Sequence, residues 1–264
     1  MLLALLYGAL VGLSLGLTGG GGSIFAVPLL VYGLGLDFRA SVAVSLAVVG
    51  ITAAYGAILQ AGRGQVLWRA GAVLGAGGIL TAPAGAWLGA QMPERLSLFL
   101  FAALMAFIGL RMVFGNREKA GSEIPLSWIR CQRRTDGRPR VTPACVGKLL
   151  GAGTVSGVLS GIFGVGGGFL IVPSLLLVAG VGIEQALATS LVGIALTAAS
   201  GFAANFGALS AGVGLTALWF LGGSAAGMTL GTWVKTFVPP RGLRVLFGFS
   251  VLGMAAFVVI RNIF

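Results

Sequence analysis

Two glycine-rich segments carry the residues of this chain best suited to binding chemistry. They lie within GLTGGGGSIFAVP at 16–28 and GIFGVGGGFLIVP at 161–173. Runs of glycine let backbone N–H groups point into one concavity and let a ligand approach the main chain closely. Each segment also leads into a predicted helix, whose first amides and dipole favour negative charge. The pattern predicts a site for a small anion, formed by Gly19, Gly20, Gly21, Gly22, Gly164, Gly166, Gly167 and Gly168.

Neutral polar side chains near these segments supply further candidate donors. We expect the Ser23 hydroxyl to cap the helix that leaves the first turn. The spans that follow begin with ASVAVSL at 40–46 and ALATSL at 186–191. An alternative is open, because small and hydroxyl residues in membranes also permit close helix packing and satisfy backbone carbonyls. The candidate donors on these spans are Ser45, Thr189 and Ser190 near their beginnings and Gln60 and Asn205 near their ends.

The composition indicates the elements that must position these residues. The chain has 264 residues, of which 57% are hydrophobic and 9% are charged, and its mean hydropathy is +1.03. Long runs without any charge, such as 40–62 and 185–234, meet the requirement of roughly 20 apolar residues for a membrane span. We therefore expect an all-α integral membrane protein in contact with the lipid bilayer, located in the inner (cytoplasmic) membrane of the cell.

The residue types argue against several other classes of protein. The chain has no histidine and only two cysteines, Cys131 and Cys145, which we expect to be reduced thiols. This set predicts no metal site, no cofactor and no enzyme active site. Although the net charge is +11, much of it lies in the central stretch 115–148, which holds eight basic and three acidic residues. A basic loop between apolar halves predicts a cytoplasmic linker rather than a nucleic-acid site.

The chain is a tandem duplication. A shift of 145 residues places Gly19 on Gly164, Pro28 on Pro173 and Ser45 on Ser190, and it also places Gln60 on Asn205. With one inserted residue, Trp87 falls on Trp233. The predicted domains are a first repeat at 1–114, a basic linker at 115–146 and a second repeat at 147–264.

The distribution of basic residues predicts how the two repeats are oriented. In each repeat a broken hairpin, 2–17 with 24–36 or 147–163 with 169–181, precedes three spans. If each hairpin enters and returns by one face, fourteen of the seventeen basic residues lie inside; a single crossing in the second repeat leaves more of them outside. The repeats are then inverted, as in many secondary transporters. Pro28 and Pro173 are expected to kink the returning helices.

The paired motifs GGGGSIFAVP at 19–28 and GVGGGFLIVP at 164–173 resemble the sulfite exporter TauE/SafE family of membrane permeases. The A-x-x-x-S and A-x-T-S beginnings of the following spans strengthen the resemblance. It implies an inverted-repeat transporter of sulfite, sulfoacetate or related organosulfonates, with the glycine turns, Ser45 and Thr189–Ser190 at the substrate. Val44 stands where the second repeat has Thr189, so the two half-sites are not equivalent.

The resulting functional hypothesis is a secondary transporter that binds a small sulfur-containing anion and works by alternating access. Uniport and symport with a proton carried on the substrate are both open. An anion channel or a non-transporting membrane scaffold is the alternative. The sequence leaves the oligomeric state open, and a homodimer is compatible with it.

Overall fold

The computed structural model describes residues 1–114, 143–179, 181–209, 213–235 and 240–263, and all regular structure within these ranges is helical. The predicted all-α fold class is confirmed. The first half contains α1 (Leu2–Thr18), α2 (Ser23–Pro28), α3 (Phe38–Ala61), α4 (Trp68–Gln91) and α5 (Glu94–Phe114). The second half contains α6 (Pro143–Phe163), α7 (Gly168–Ser174), α8 (Ile183–Asn205), α9 (Val213–Val234) and α10 (Pro240–Ile263).

Five of the described helices are long and apolar enough to cross a membrane, so the chain is a multi-pass integral membrane protein. They are α3, α4, α6, α9 and α8 with its short extension to Ala208. Helices α5 and α10 contain shorter apolar segments, Arg95–Phe107 and Val251–Arg261, and pack against each other. The third span expected at the end of each half stays a prediction.

The first helix of each half packs against a helix of the other half. Helix α1 lies along α9, and α6 lies along α4. Both pairs run parallel and bring backbones together through glycines, as small residues allow in membrane helices. The glycines of α1 approach α9 at three levels: Gly8 at Phe220, Gly12 at Ser224 and Gly16 at Met228. The glycines of α4 approach α6 in the same way, Gly77 at Leu150 and Gly85 at Val158. Neither half therefore packs as an independent unit.

Helices α3 and α8, which occupy equivalent places in the two repeats, run antiparallel against each other. Leu46 of α3 packs on Gly201 of α8. The equivalent pair has the helices exchanged, with Leu191 of α8 packed on Gly56 of α3. Near the middle of both helices, Gly50 faces Ala198. This exchange of partners is the one that two inverted repeats require.

The first hairpin enters and returns by the same face of the bundle. Because α1 runs parallel to α9, it enters from the face where α8 ends and α9 begins. Asp37, which precedes α3, lies on that face, since it lines a cavity together with Asn205 at the end of α8. This path is the one that the hairpin interpretation expects.

The returning limb of each hairpin changes its helical geometry after its proline. Residues Leu29–Gly33 follow Pro28 and are π-helical, and Leu175–Ala179 follow Pro173 and Ser174 with the same geometry. Proline lacks the N–H that the helical ladder needs, and a wider turn is one way to absorb that loss. The disturbance expected at each proline therefore appears as a π-helical segment.

The beginning of the second repeat differs from the expectation in two respects. Helix α6 begins at Pro143, four residues before the predicted boundary at 147. Cys145, in the first turn of α6, is buried and disulfide-bonded, so the expectation of two reduced thiols is wrong. The other cysteine, Cys131, lies outside the described residues, as does most of the linker 115–146.

Candidate functional site

The two glycine turns meet at the centre of the protein. A Cβ built on Gly20 would lie 2.7 Å from the carbonyl carbon and oxygen of Gly168, so side chains are excluded where the turns touch. Gly166 faces Val49 of α3 and Ile194 of α8, close to the middle of both helices. All residues of 19–23 and 164–168 are buried. Close packing thus explains part of the glycine content, as the alternative interpretation holds.

Each turn begins with a residue in the left-handed backbone conformation. Gly19 has φ of 68° and Gly164 has φ of 70°. This region is unfavourable for residues with a Cβ, which explains why glycine ends α1 and α6. Gly166 and Gly167 of the second turn also have positive φ, whereas Gly22 of the first has φ of −61°. The two turns are therefore similar but not identical.

Ser45 and Ser190 connect each repeat to the turn of the other. The Ser45 hydroxyl donates to the carbonyl of Gly164 at 2.7 Å, and the Ser190 hydroxyl donates to the carbonyl of Gly19 at 2.5 Å. The donors are 145 residues apart, and so are the acceptors. Sequence reasoning placed both serines at the turns, and the structure brings them there. Their hydroxyl protons, however, are engaged by the protein.

Several backbone amides of the turns have no hydrogen-bond partner within the part of the chain that the structure describes. The Gly19 amide donates to Leu15, and the Gly21 amide donates to the Thr18 hydroxyl at 3.0 Å. Among the described residues, nothing accepts from the amides of Gly20, Gly22, Gly166 and Gly168. Buried backbone donors are nearly always paired, and an unpaired one inside a membrane is costly. These amides belong to the two buried turns, which touch where the repeats meet.

Two of the predicted hydroxyl donors have other roles. The Ser23 side chain does not cap α2; it donates to the carbonyl of Gly20 at 2.7 Å, because Ser23 is already the first helical residue and Gly22 is the N-cap. The predicted cap is therefore wrong. The Thr189 hydroxyl accepts from the Leu67 amide at 3.0 Å and fixes the segment before α4.

Gln60 and Asn205 lie far from the turns, near opposite faces. At about 1.5 Å per residue, Gln60 is roughly 22 Å along α3 from Ser45, and Asn205 is equally far along α8 from Ser190. The Asn205 amide donates to Gly201, and its side chain lines a cavity. The predicted single site is thus divided into three parts. The two glycine turns with Ser45 and Ser190 form a central cluster, and Gln60 and Asn205 lie at the two ends.

One face of the protein contains a cavity of about 490 Å³, which we call the Arg39 cavity. Its charged lining residues are Asp37 and Arg39. Asp37 caps α3 by accepting from the Ala40 amide, and the Arg39 guanidinium donates to the carbonyl of Ala90 near the end of α4. Because a guanidinium has five N–H donors, Arg39 retains donors for a ligand.

The inner end of the Arg39 cavity reaches the second glycine turn. Val42 and Gly161 form part of its wall. A Cβ on Gly164 would lie 2.9 Å from the Cα of Val42, so this residue contacts both the cavity and the turn. A ligand in the cavity is therefore separated from the central cluster by a single layer of residues.

Sequence reasoning missed two side chains that hold the turns in place. Thr18 accepts from the Gly21 amide and donates to Ser14, and the Ser156 hydroxyl donates to the carbonyl of Gly167 at 2.9 Å. A hydroxyl residue directly before a glycine turn is a recognisable signal for the first. Ser156 lies eleven residues before its acceptor, and no local pattern reveals that pair.

The central turns, the exchanged helices and the apolar spans define a class, the multi-pass membrane transporters. The chain belongs to the sulfite exporter TauE/SafE family, whose model matches residues 4–258. Two proteins of Xylella fastidiosa, both named probable membrane transporter protein, are similar to it. The one from strain 9a5c is 32% identical and the one from strain Temecula1 is 31% identical, each over 97% of this chain and 93% of its own length. A Haemophilus influenzae protein of the same name is 31% identical over 72% of this chain and 67% of its own length. No solved structure matches the chain.

Proposed function

We propose that this chain is a secondary transporter that moves a small sulfur-containing anion, sulfite or an organosulfonate, across the inner membrane by alternating access. The observation that carries the proposal is the set of buried amides at Gly20, Gly22, Gly166 and Gly168, in the turns where the two repeats meet, which donate to no acceptor among the described residues. The name of the family supports the choice of a sulfur oxyanion.

The chemistry of the central cluster suits an anion that must bind and then leave. The buried polar side chains of the described residues are serine, threonine and glutamine. Because the hydroxyls at the turns donate to carbonyls of the protein, the backbone amides are the donors that stabilise the oxyanion, without a fixed positive charge. Binding by neutral donors holds the anion less tightly than a buried cation would, which favours release.

The Arg39 cavity provides a path from one face to this cluster. Arg39 attracts the anion at the entrance, and Val42 is the last residue before the Gly164 turn. The antiparallel contact of α3 with α8, which joins the two repeats beside the turns, is the contact that we expect to change during transport. A change in this contact opens the cluster to one face while it closes the other.

Flux into proteoliposomes tests the proposal. Purified protein is reconstituted and offered sulfite, thiosulfate, sulfoacetate, taurine and sulfate under imposed pH and voltage gradients. We expect saturable flux of at least one sulfur anion, and its response to each gradient identifies uniport or proton symport. A rate that stays linear at high concentration would support an anion channel instead.

A matched pair of glycine variants shows whether the central turns carry the flux. Gly166→Leu places a side chain against Val49 and Ile194, whereas Gly151→Leu on α6 meets nothing within 4 Å. We expect the first variant to abolish flux and the second to retain it. Absence of sulfur-anion flux in folded wild-type protein would overturn the substrate assignment.

A further inference from the structure

The face opposite the Arg39 cavity contains the duplicated counterparts of the residues that line it. The shift of 145 residues relates Arg39 to Glu184, Val42 to Leu187 and Asn205 to Gln60. Because α3 and α8 run antiparallel, the end of α3 meets the beginning of α8 at this face. The duplication thus predicts a second cavity here, with Gln60 in the place of Asn205.

Gln60 is buried in a way that Asn205 is not. Asn205 is half-buried and lines the Arg39 cavity, whereas Gln60 is only 3% exposed. The Nε2 atom of Gln60 has no hydrogen-bond partner among the described residues. A buried amide without an acceptor is costly, so the fold retains a donor here that it does not itself use.

Residues 62–67, between α3 and α4, follow the end of α3 directly, where the Arg63 amide donates to the carbonyl of Gln60; we call them the cover segment. Gln65 donates to the Glu184 carboxylate at 3.1 Å, and the Leu67 amide donates to the Thr189 hydroxyl at 3.0 Å. Val66 is buried in the main hydrophobic cluster. These contacts attach a segment of the first repeat to the beginning of α8 in the second.

Positive charge is concentrated around the cover segment. Burial lowers the pKa of Lys235, the Glu184 carboxylate opposes this change, and the Arg63 guanidinium adds to it. Glu184 is thus in electrostatic contact with Lys235, and the same carboxylate accepts from Gln65. Once the cover segment moves away and takes Arg63 with it, Lys235 is available to a ligand of negative charge.

We propose that Gln60 is an anion-binding residue of a second cavity, which the cover segment closes in this structure through the Gln65–Glu184 and Leu67–Thr189 hydrogen bonds. Its ligand is an oxyanion of the size of sulfoacetate or smaller, with acceptor oxygens for the Gln60 amide. The proposal rests on the proposed transport function, since it describes the opposite end of the same path.

Chemical labelling at residue 60 tests this proposal without any need for flux. Cys131 and Cys145 are replaced by serine, and Gln60→Cys or Asn205→Cys is introduced. Each protein is treated with an anionic or a cationic methanethiosulfonate reagent of similar size. The cover is released by combining Gln65→Ala with Thr189→Val, and Thr154→Val, whose hydroxyl bonds within α6, is the control.

We expect Gln60→Cys to react slowly while the cover is intact and about tenfold faster once it is released, because two lost hydrogen bonds raise the open population. The anionic reagent should then react faster than the cationic one, and sulfoacetate should slow it. Asn205→Cys should react readily with the cover intact.

Equal rates at residue 60 with and without the cover, or a preference for the cationic reagent, would overturn the proposal. Absence of flux in folded wild-type protein, together with the expected labelling, would instead refute transport and leave the anion site standing.

A second measurement covers the case in which the cysteine variants fail to fold. In otherwise wild-type protein, Gln60→Leu and Gln60→Asn are compared by thermal unfolding in increasing sulfoacetate. Wild-type and Gln60→Asn should be stabilised by the anion, and Gln60→Leu should require about tenfold more of it for the same shift, because the amide donor is missing. Equal shifts in all three proteins would overturn the role of Gln60.

Discussion

The hydroxyl of Ser45 donates to the carbonyl of Gly164 in the opposite repeat, and its equivalent Ser190 donates to Gly19. Each bond joins the N-terminal half of a long helix to the glycine that ends another. Since α3 and α8 run antiparallel, the two bonds lie on opposite sides of the contact between the turns. Any movement of one repeat against the other must strain or break them.

Ser45→Ala and Ser190→Ala are expected to destabilise the protein by similar amounts. Each leaves a buried carbonyl without its donor, at a cost of about 1–3 kcal/mol. Thermal unfolding in detergent measures the loss. Ser200→Ala, whose partner Ile79 lies across an exposed contact, is the control and should have a smaller effect. A large loss of stability in only one of the two serine variants would show that the two hydrogen bonds do not contribute equally to the stability of the fold.

The sequence predicts the parts of this site that motifs and the duplication mark, and it misses contacts between residues far apart in the chain. The resemblance of the paired motifs to the TauE/SafE family placed Ser45 and Ser190 at the substrate beside the turns, and the duplication made the two positions equivalent. The duplicated glycine runs placed the broken hairpins, since non-helical backbone at membrane depth must be buried in protein or line a cavity. The Arg39–Ala90 bond joins residues 51 positions apart, and no periodicity in the sequence reports it.

The errors have physical causes as well. Ser23 was expected to cap α2, but a shift of one residue in the helix boundary makes it the first helical residue instead. Gln60 and Asn205 were placed at one site because they are equivalent in sequence. In an antiparallel pair of helices, however, equivalent residues near the helix ends lie at opposite faces of the bundle. Gln60 and Asn205 are therefore far apart because they are equivalent.

Gly20→Ala tests the direct contact between the turns. Its Cβ would lie 2.7 Å from the backbone of Gly168, and backbone cannot move aside as a flexible side chain can. We expect loss of folded protein or a destabilisation of several kcal/mol, at the upper end of the roughly 1–3 kcal/mol typical of overpacking. Size-exclusion chromatography and thermal unfolding report the result.

Gly147→Ala on α6 is the matched control for that substitution. Nothing lies within 4 Å of a Cβ at this exposed position, so alanine should stabilise the helix by up to about 1 kcal/mol. Equal behaviour of the two variants would mean that the turns do not touch in the membrane.

Arg39→Gln is expected to weaken substrate binding from the face of the Arg39 cavity. The guanidinium is exposed there, so we expect KM to rise about three- to tenfold and to depend less on salt, as for other charges at the rim of a site. Initial flux rates at low and high ionic strength measure both effects. Arg69→Gln on the opposite face removes the same charge and should leave KM from the cavity side unchanged.

Gln60→Leu is expected to stabilise the protein while it impairs transport. Removing an unpaired buried amide removes its desolvation cost, which is about 1–3 kcal/mol, and leucine has a similar volume. Thermal unfolding without substrate should therefore show a higher Tm. A lower Tm would mean that the Gln60 amide is satisfied by water in the folded protein.

The path of the first hairpin predicts which residues share a side of the membrane. Helix α1 runs parallel to α9 and Asp37 lines a cavity with Asn205, so Leu2 and Asp37 belong to one face. Arg63, at the other end of α3, belongs to the opposite face.

With the native cysteines removed, cysteines placed singly at 2, 37 and 63 are labelled with an impermeant reagent in intact cells and again in inverted vesicles. Positions 2 and 37 should label from one side and position 63 from the other. Labelling of 2 and 37 from different sides would require a single crossing in the hairpin, and the repeats would then be parallel, because each would contain an even number of crossings.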